Sequence, residues 1–275
     1  MKITCLLENT TLSQDLAPRH GLSLFIETGD TALLFDLGPD ASAMDNAAKI
    51  GVDISRAQMA LISHGHLDHG GGLAPFMAAC PKADVLMTPA AAGKFYVQVP
   101  GTPPRKISLD PGLTKQARFI SEDTRLSDTL CLFTGFDKPS FIPHSNATLF
   151  RGTQDGRIIP DDFDHELALL VREEKKTVLF TGCSHSGITN MITTVLNRSG
   201  LPHIDVVVGG FHLSSPSMGQ SEPPDRLDNL AEELKGFKQT LFYTGHCTGK
   251  QAFDHLKQFL GDRLLALSTG RKISI

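Results

Sequence analysis

The stretch Ser63-His64-Gly65-His66-Leu67-Asp68-His69-Gly70-Gly71-Gly72 decides the interpretation of this chain of 275 residues, and it holds three of the 11 histidines. His64 and His66 flank a glycine, so a tight turn at a strand end can direct both imidazoles at one point. Asp68 and His69 follow at a spacing that the start of a helix can direct at a second point. Imidazole and carboxylate groups bind zinc and other first-row divalent ions, and this clustering predicts a pair of them.

The composition excludes several classes of protein. The 26 Lys and Arg against 30 Asp and Glu give a net charge of −4, which disfavours nucleic-acid partners. No apolar run approaches the roughly 18–20 residues of a membrane span, and the first residues lack the features of a signal peptide. Five cysteines without paired spacing indicate a reducing compartment, so we expect a cytoplasmic protein without membrane contacts.

The apolar pattern around the histidine-rich stretch predicts an α/β organisation in which helices cover sheets. Short strands come first, then a helix closed by Gly51, then a strand that runs directly into His64. Strands and helices alternate in the second half, where Ile204–Val208 is typical of a central strand. The predicted strands are Ile3–Leu7, Leu22–Glu27, Thr31–Asp36, Gln58–Ser63, Ala168–Arg172, Thr177–Thr181, Ile204–Val208 and Leu241–Tyr243, and the predicted helices are Ala41–Ile50, a segment from Ile188, Leu227–Leu234 and Ala252–Phe259.

The pattern weakens between residues 90 and 130, although composition indicates no linker and we expect one domain over residues 1–275. The run Val99-Pro100-Gly101-Thr102-Pro103-Pro104 is incompatible with a regular helix or a central strand. Such a segment is either a binding loop or lid, or a surface excursion without a ligand. Lys94, Arg105 and Lys106 around it are candidate contacts for a substrate anion, or plain surface charges.

The chain resembles the metallo-β-lactamase superfamily, because His64 to His69 match its HxHxDH motif. Phe35-Asp36-Leu37-Gly38 is similar to the LFDxG element of that family, and Leu179-Phe180-Thr181-Gly182-Cys183 to its later LFTGD strand end. This resemblance covers nearly the whole chain and implies a four-layer αββα sandwich. A narrower resemblance is to hydrolases related to dihydropterin ribofuranosylaminobenzene 5′-phosphate synthase, carried by His20-Gly21-Leu22-Ser23, Ser63-His64-Gly65-His66, the segments 181–188 and 209–213, and Gly245-His246-Cys247-Thr248-Gly249.

Two further histidines are expected to complete the metal site. His185 and His246 each follow a predicted strand and precede a helix, so their side chains can reach the sheet edge that holds the motif. We expect His185 to complete the site of the first two motif histidines. We expect His246 to complete the site of Asp68 and His69.

Other residues have open roles at this stage. Cys183 stands where many superfamily members carry a metal-bridging Asp; a thiolate can ligate zinc, but a small packing residue is equally compatible. His212 is either a ligand or a substrate-facing acid/base, and we count it with Asp68 as a catalytic candidate. Asp36 is expected to support a metal-bound histidine from behind, or to be a turn aspartate. His165 lies before the strand where some superfamily members place a metal-binding histidine, so it is either a ligand or part of a solvated turn, which Asp161, Asp162 and Asp164 predict. His20 either reaches the site or caps a strand.

The resemblance implies a metal-dependent hydrolase with a binuclear metal-bound hydroxide that Asp68 helps to orient. We expect two divalent ions, with Zn2+ as the first candidate and Fe or Mn as alternatives. We expect the substrate to be a small anionic metabolite, either phosphorylated or not. One alternative is a condensing enzyme that joins a pterin to a ribofuranosylaminobenzene phosphate. An alternative of another class is an iron-based redox or oxygen-handling protein on the same ligands. Beyond the candidate cations Lys94, Arg105 and Lys106, the sequence assigns no substrate contact, and it does not indicate an oligomeric state.

Overall fold

The computed structural model describes residues 1–215 and 217–275. The helices are α1 (Ser42–Ile50), α2 (Leu67–Gly70), α3 (Leu73–Ala79), α4 (Pro111–Thr114), α5 (Ile188–Ser199), α6 (Pro224–Gly236) and α7 (Lys250–Leu260). The strands are β1 (Lys2–Leu7), β2 (Ser23–Thr28), β3 (Thr31–Phe35), β4 (Met59–Leu61), β5 (Asp84–Met87), β6 (Phe95–Val97), β7 (Arg105–Lys106), β8 (Arg118–Phe119), β9 (Thr124–Arg125), β10 (Leu130–Thr134), β11 (Leu149–Gly152), β12 (Ile158–Pro160), β13 (Leu167–Glu173), β14 (Lys176–Phe180), β15 (Val206–Val208), β16 (Ser214–Ser215), β17 (Gln220–Ser221), β18 (Leu241–Thr244), β19 (Leu264–Ala266) and β20 (Lys272–Ser274).

Two large mixed sheets face each other and helices cover their outer faces. Among the described residues one sheet has the order β20-β1-β2-β3-β4-β5-β8, and the other has the order β19-β18-β15-β14-β13-β10-β9. Side-chain alternation along β2 shows how the layers form: Leu24 and Ile26 pack between the sheets, whereas Phe25 packs under α1 and α3. Helices α5, α6 and α7 cover the second sheet. The expected four-layer αββα arrangement is confirmed.

The local patterns of the first half also predicted the observed structure. Strands β2 and β3 form an antiparallel hairpin. Helix α1 ends at Gly51, whose φ of 78° lets its N–H reach the carbonyl oxygens of Ala47 and Ala48. The strand predicted to enter the histidine-rich stretch is β4, which lies between β3 and β5 in the sheet.

The segment from 90 to 130 contains more structure than its sequence suggested. Strands β6 and β7 lie within it and join β11 and β12 in a small sheet of order β12-β11-β6-β7. This sheet touches the histidine-rich loop, because the Leu67 N–H donates to the Ile107 carbonyl oxygen at 2.7 Å. A lid function stays a prediction. Among the described residues, none of the helices has the length and apolar character that crossing a bilayer would require.

Candidate metal centre

Loops from both large sheets meet at one edge and bring the predicted site residues together. The histidine-rich loop follows β4 and enters α2. Strands β14, β15 and β18 run parallel to one another, so their carboxyl ends share one edge. Cys183 and His185 follow the first of these strands, His212 the second and His246 the third. The structure therefore brings His185, His212 and His246 to the edge at which the strand-end argument expected them.

The first cluster consists of His64, His66 and His185. The imidazole of His66 lies with its centroid 4.6 Å from that of His64 and 5.0 Å from that of His185. Nδ1 of His64 bonds with Ser63 Oγ at 2.8 Å, and Nδ1 of His185 bonds with Asn146 Oδ1 at 3.0 Å. These bonds fix both rings and turn their Nε2 atoms toward the cluster.

All three Nε2 atoms of this cluster are buried and without a hydrogen-bond partner. Such atoms are costly unless something satisfies them. Burial lowers the pKa of His66 to about 4, and it lowers the pKa values of His64 and His185 well below their usual range. The rings are therefore neutral, which is the form that ligates metal ions. The unpartnered nitrogens fit a divalent ion.

The second cluster consists of Asp68, His69, Cys183 and His246, whose candidate ligand atoms lie within 4.8 Å of one another. Nε2 of His69 lies 3.1 Å from both Nε2 of His246 and Sγ of Cys183. Oδ2 of Asp68 lies 3.2 Å from Nε2 of His246 and 3.3 Å from Nε2 of His20. A mixed nitrogen, oxygen and sulfur set of this kind suits a first-row divalent ion.

Asp36 lies directly behind the second cluster. Its Oδ2 accepts from Nδ1 of His69 at 2.6 Å and from the Ser63 hydroxyl at 2.7 Å, and its Oδ1 accepts from the Ser63 N–H at 2.8 Å. Its backbone has a φ of 59°, a strained conformation for a non-glycine residue. Burial alone would lower the pKa of His69. The charges of Asp36 and Asp68 nevertheless raise this pKa to about 9.

His246 is held by two residues that directly follow the amino-terminal strand. The sequence did not indicate this contact. Asn9 Oδ1 accepts from Nδ1 of His246 at 2.9 Å, and the Glu8 carboxylate accepts from the His246 N–H. Both partners follow β1, far away in sequence. No local pattern marks such residues, so only the folded chain reveals them.

Cys183 and Cys247 lie side by side between the clusters. The sulfur of Cys183 belongs to three groups of candidate ligands, one with His64 and His185, one with the second cluster, and one with His212 and Cys247. Cys247 accepts from the His212 N–H at 3.3 Å through its sulfur. No role was expected for Cys247 from the sequence, in which its only signal is its position directly after His246.

His212 projects into the same space without a partner. It is 8% exposed, and neither ring nitrogen has a hydrogen-bond partner. Its ring centroid lies 4.1 Å from that of His185. A backbone φ of 50° holds it there. This histidine is available either to an ion or to a substrate.

The expectation of a solvated turn is wrong for His165 itself, although Asp162 and Asp164 beside it are exposed. The side chains of His165 and Asp161 are fully buried. Nδ1 of His165 accepts from the Gly65 N–H at 3.1 Å, so Nε2 carries the proton and donates to Asp161 Oδ2 at 3.1 Å. Both ring nitrogens are thereby engaged. His165 braces the loop between His64 and His66 instead of facing solvent.

A cavity of about 450 Å³ opens onto both clusters. Its described lining includes His20, which the sequence left undecided and which the structure places against Asp68. The hydrogen bond to that carboxylate raises the pKa of His20 against the effect of its burial. The remaining lining combines metal-facing residues with apolar ones and with the side chain of Arg105.

Comparison with known proteins agrees with this architecture. The family model for the metallo-beta-lactamase superfamily matches residues 16–246. The chain belongs to the metallo-beta-lactamase superfamily. Its αββα sandwich is the fold of that superfamily, whose members generally bind divalent metals.

Individual relatives span nearly the whole chain. The crystal structure of Tm1679, described as a metal-dependent hydrolase of the beta-lactamase superfamily, superimposes with a TM-score of 0.84 at 25% identity over 100% of this chain and 99% of that one. A 7,8-dihydropterin-6-methyl-4-(beta-D-ribofuranosyl)-aminobenzene-5'-phosphate synthase of Methanocaldococcus jannaschii is 27% identical, over 88% of this chain and 87% of its own. Zn(2+)-bound PqqB from Methylobacterium extorquens shares the fold alone, with a TM-score of 0.57 at 11% identity.

Proposed function

We propose that this protein is a metal-dependent hydrolase whose substrate is a small anionic metabolite. It uses two divalent ions, with Zn2+ as the first candidate. One observation carries the proposal: the buried Nε2 atoms of His64, His66 and His185 have no hydrogen-bond partner, and the three rings lie with their centroids 4.6–5.0 Å apart beside a second ligand cluster. Buried nitrogens without partners are rare in folded proteins because they cost free energy. An ion satisfies them all at once.

The two clusters define the ligand assignment. Cys183 contributes to both, because its sulfur is within reach of His64 and of His69. We assign the first ion to His64, His66 and His185. We assign the second ion to Asp68, His69 and His246. Cys183 lies between the two sets. Two ions held there would lower the pKa of bound water toward neutrality and supply a hydroxide nucleophile.

The remaining residues position groups and move protons. Asp36 holds the ring of His69 through Nδ1, so that Nε2 faces the site. Asp68 lines the cavity and is partly exposed, so it can orient the attacking water as well as hold an ion. His212 lines the cavity with both ring nitrogens unpaired, so it can protonate the leaving group. Five cysteines without disulfide bonds support a cytoplasmic location.

Metal analysis and a substrate panel test this proposal. The purified protein should contain two first-row ions per chain and hydrolyse at least one of a phosphodiester, a thioester and a lactone. His66→Ala should reduce that activity more than about 100-fold, since it removes a ligand. His255→Ala is the matched control, because His255 lies on α7 and bonds with Asp228 far from the site. One ion or none, or full activity in His66→Ala, would contradict the proposal. Two iron ions without hydrolysis would favour the redox alternative.

The synthase relative favours a second candidate function. That relative is 27% identical over 88% of this chain. The second candidate is therefore a condensation between a pterin and a ribofuranosylaminobenzene phosphate in the same cavity. The discriminating assay incubates the metal-loaded protein with both compounds and follows the joined product by mass spectrometry. Product formation without hydrolysis of the ester panel would favour the synthase.

A further inference from the structure

The small sheet of β12, β11, β6 and β7 forms one wall of the metal cavity, and its facing residues lie in a row. Leu149 pairs with Val97 across β11 and β6, and Val97 pairs with Arg105 across β6 and β7. All three side chains line the cavity. Neighbouring strands lie about 4.8 Å apart, so Arg105 ends an apolar row that starts at Leu149.

The side chains alternate along β7 and the two residues that follow it, which indicates those that face the cavity. Arg105 and Ile107 line it, whereas the intervening Lys106 does not. Ser108, the next residue on the opposite face, turns away and bonds with the backbone N–H of Phe95 at 2.7 Å. Residues two apart on a strand share a face and lie about 6.5 Å from each other. Arg105 is therefore one such step beyond Ile107, whose carbonyl holds the loop next to His66.

Arg105 has no counter-charge in the part of the chain that the structure describes. Arg151, on β11 of the same small sheet, pairs with Asp162 at 2.6 Å. No carboxylate lies within salt-bridge distance of Arg105, and among the described lining residues it alone carries a permanent positive charge. An exposed guanidinium at the mouth of a largely apolar cleft can pair with a carboxylate or phosphate in a bidentate manner.

We propose that Arg105 binds an anionic group of the substrate that does not itself react. The inference rests on the proposed function, since it places the reacting group at the two ligand clusters. Ile107 follows Arg105 toward the histidine-rich loop, and Val97 and Ile107 line the cavity beside Arg105, so the substrate carries a short apolar segment between its two ends. The substrate class is then a bifunctional metabolite, with a hydrolysable bond at one end and a carboxylate or phosphate at the other.

Small thiols test this proposal without any turnover. Mercaptoacetate, 3-mercaptopropionate and 4-mercaptobutyrate each carry a metal-binding sulfur and a carboxylate at increasing separation, and the corresponding amides lack the charge. Calorimetric titration of the zinc-loaded protein should show a preference of about 10- to 100-fold for the acid over the amide at the best chain length. 2-Mercaptoethylphosphonate in the same assay ranks a phosphate-like group against a carboxylate.

Arg105→Gln should abolish the preference for the acids and leave the affinity for the amides unchanged. Lys106→Gln is the matched control, because it removes a neighbouring exposed charge that faces away from the cavity, and it should keep the preference. Equal affinity for acids and amides in the wild type, or an equal loss in both variants, would overturn the anion site while leaving the metal centre intact. Failure of every thiol to bind would instead overturn the proposed metal centre, and the anion site with it.

Discussion

Nε2 of His69 lies 3.1 Å from Nε2 of His246, although 177 residues separate them in the chain. The contact joins the loop after β4 in one sheet to the loop after β18 in the other. Asp36 and Asn9 fix the two rings from behind, each through an Nδ1 atom. An ion at this contact would tie the two sheets together at their shared edge.

Zinc should therefore stabilise the fold, and His246→Ala should lose part of that effect. A ligand that binds only the native state at 100 times its Kd adds about 2.7 kcal/mol to the free energy of unfolding. We expect chelation to lower the Tm of the wild type. In His246→Ala we expect one bound ion instead of two and a smaller shift on zinc addition. His255→Ala should behave as the wild type, and an unchanged metal content in His246→Ala would contradict its assignment.

Asp36→Asn should weaken zinc binding without unfolding the protein. The amide oxygen can still accept from the Ser63 N–H, but an amide NH2 group would face Nδ1 of His69 in place of a carboxylate oxygen. Loss of such a partner behind a ligating histidine typically costs 10- to 100-fold in metal affinity. Competition with a chromogenic chelator measures the change. Asp40→Asn is the control, because Asp40 accepts from the Ser42 N–H at the start of α1 and contacts none of the candidate ligands named above. Equal affinities in the two variants would refute the role of Asp36.

His165→Ala should lower stability but leave the metal content at two ions. The substitution strands the Gly65 N–H and the buried Asp161 carboxylate, which His165 now satisfies. Leaving buried groups unpaired costs about 1–3 kcal/mol each. Urea unfolding should show the loss, and His165→Gln should recover part of it. A metal content of one in both variants would instead identify His165 as a ligand.

Cobalt substitution should reveal whether Cys183 ligates as a thiolate. The sulfur of Cys183 lies 3.1 Å from Nε2 of His69 and is shared by both clusters. The Co(II)-loaded wild type should therefore show a thiolate-to-metal charge-transfer band in the near ultraviolet. The band should vanish in Cys183→Ser and persist in Cys247→Ser, because the Cys247 sulfur already accepts from the His212 N–H. Persistence in Cys183→Ser would make Cys183 a packing residue.

Features that depend on local spacing could be predicted from the sequence. His64, His66, Asp68 and His69 lie within six residues, so one strand end and one helical turn position them all. The strand-end positions of His185 and His246 followed from alternating elements, since parallel strands share one edge. The hairpin of β2 and β3 followed from its turn residues.

Features that depend on distant packing could not be predicted. Three aspartates near His165 resemble a solvated turn, and only the Gly65 N–H, 100 residues away, explains why that ring is buried. Glu8 and Asn9 hold His246 across an even longer separation. Arg105 lines the cavity because β7 pairs with β6. The Pro- and Gly-rich run before Arg105 gives no indication of that pairing.

The metal-free protein should be most stable near pH 6.5, because two site histidines shift in opposite directions. His66, with its pKa lowered to about 4, stays neutral in the fold while the unfolded chain takes up a proton below about 6.5. Stability therefore falls as the pH drops from about 6.5 toward 4, by about 3 kcal/mol from this residue. His69, with its pKa raised to about 9, keeps its proton in the fold, so its contribution is present below about 6.5 and is lost as the pH rises toward 9.

Urea unfolding across this pH range, with chelator and with zinc, checks both limbs of the profile. Zinc should remove the alkaline limb, because the ion replaces the Nε2 proton of His69. It should steepen the acid limb, because protons then compete with the ion for the ligands. His66→Asn should reduce the acid limb of the metal-free protein without removing it, because His64 and His185 also have lowered pKa values, whereas His255→Ala should leave it unchanged. A metal-free protein that keeps full stability from pH 6.5 down to pH 4 would contradict the buried, neutral state of His66.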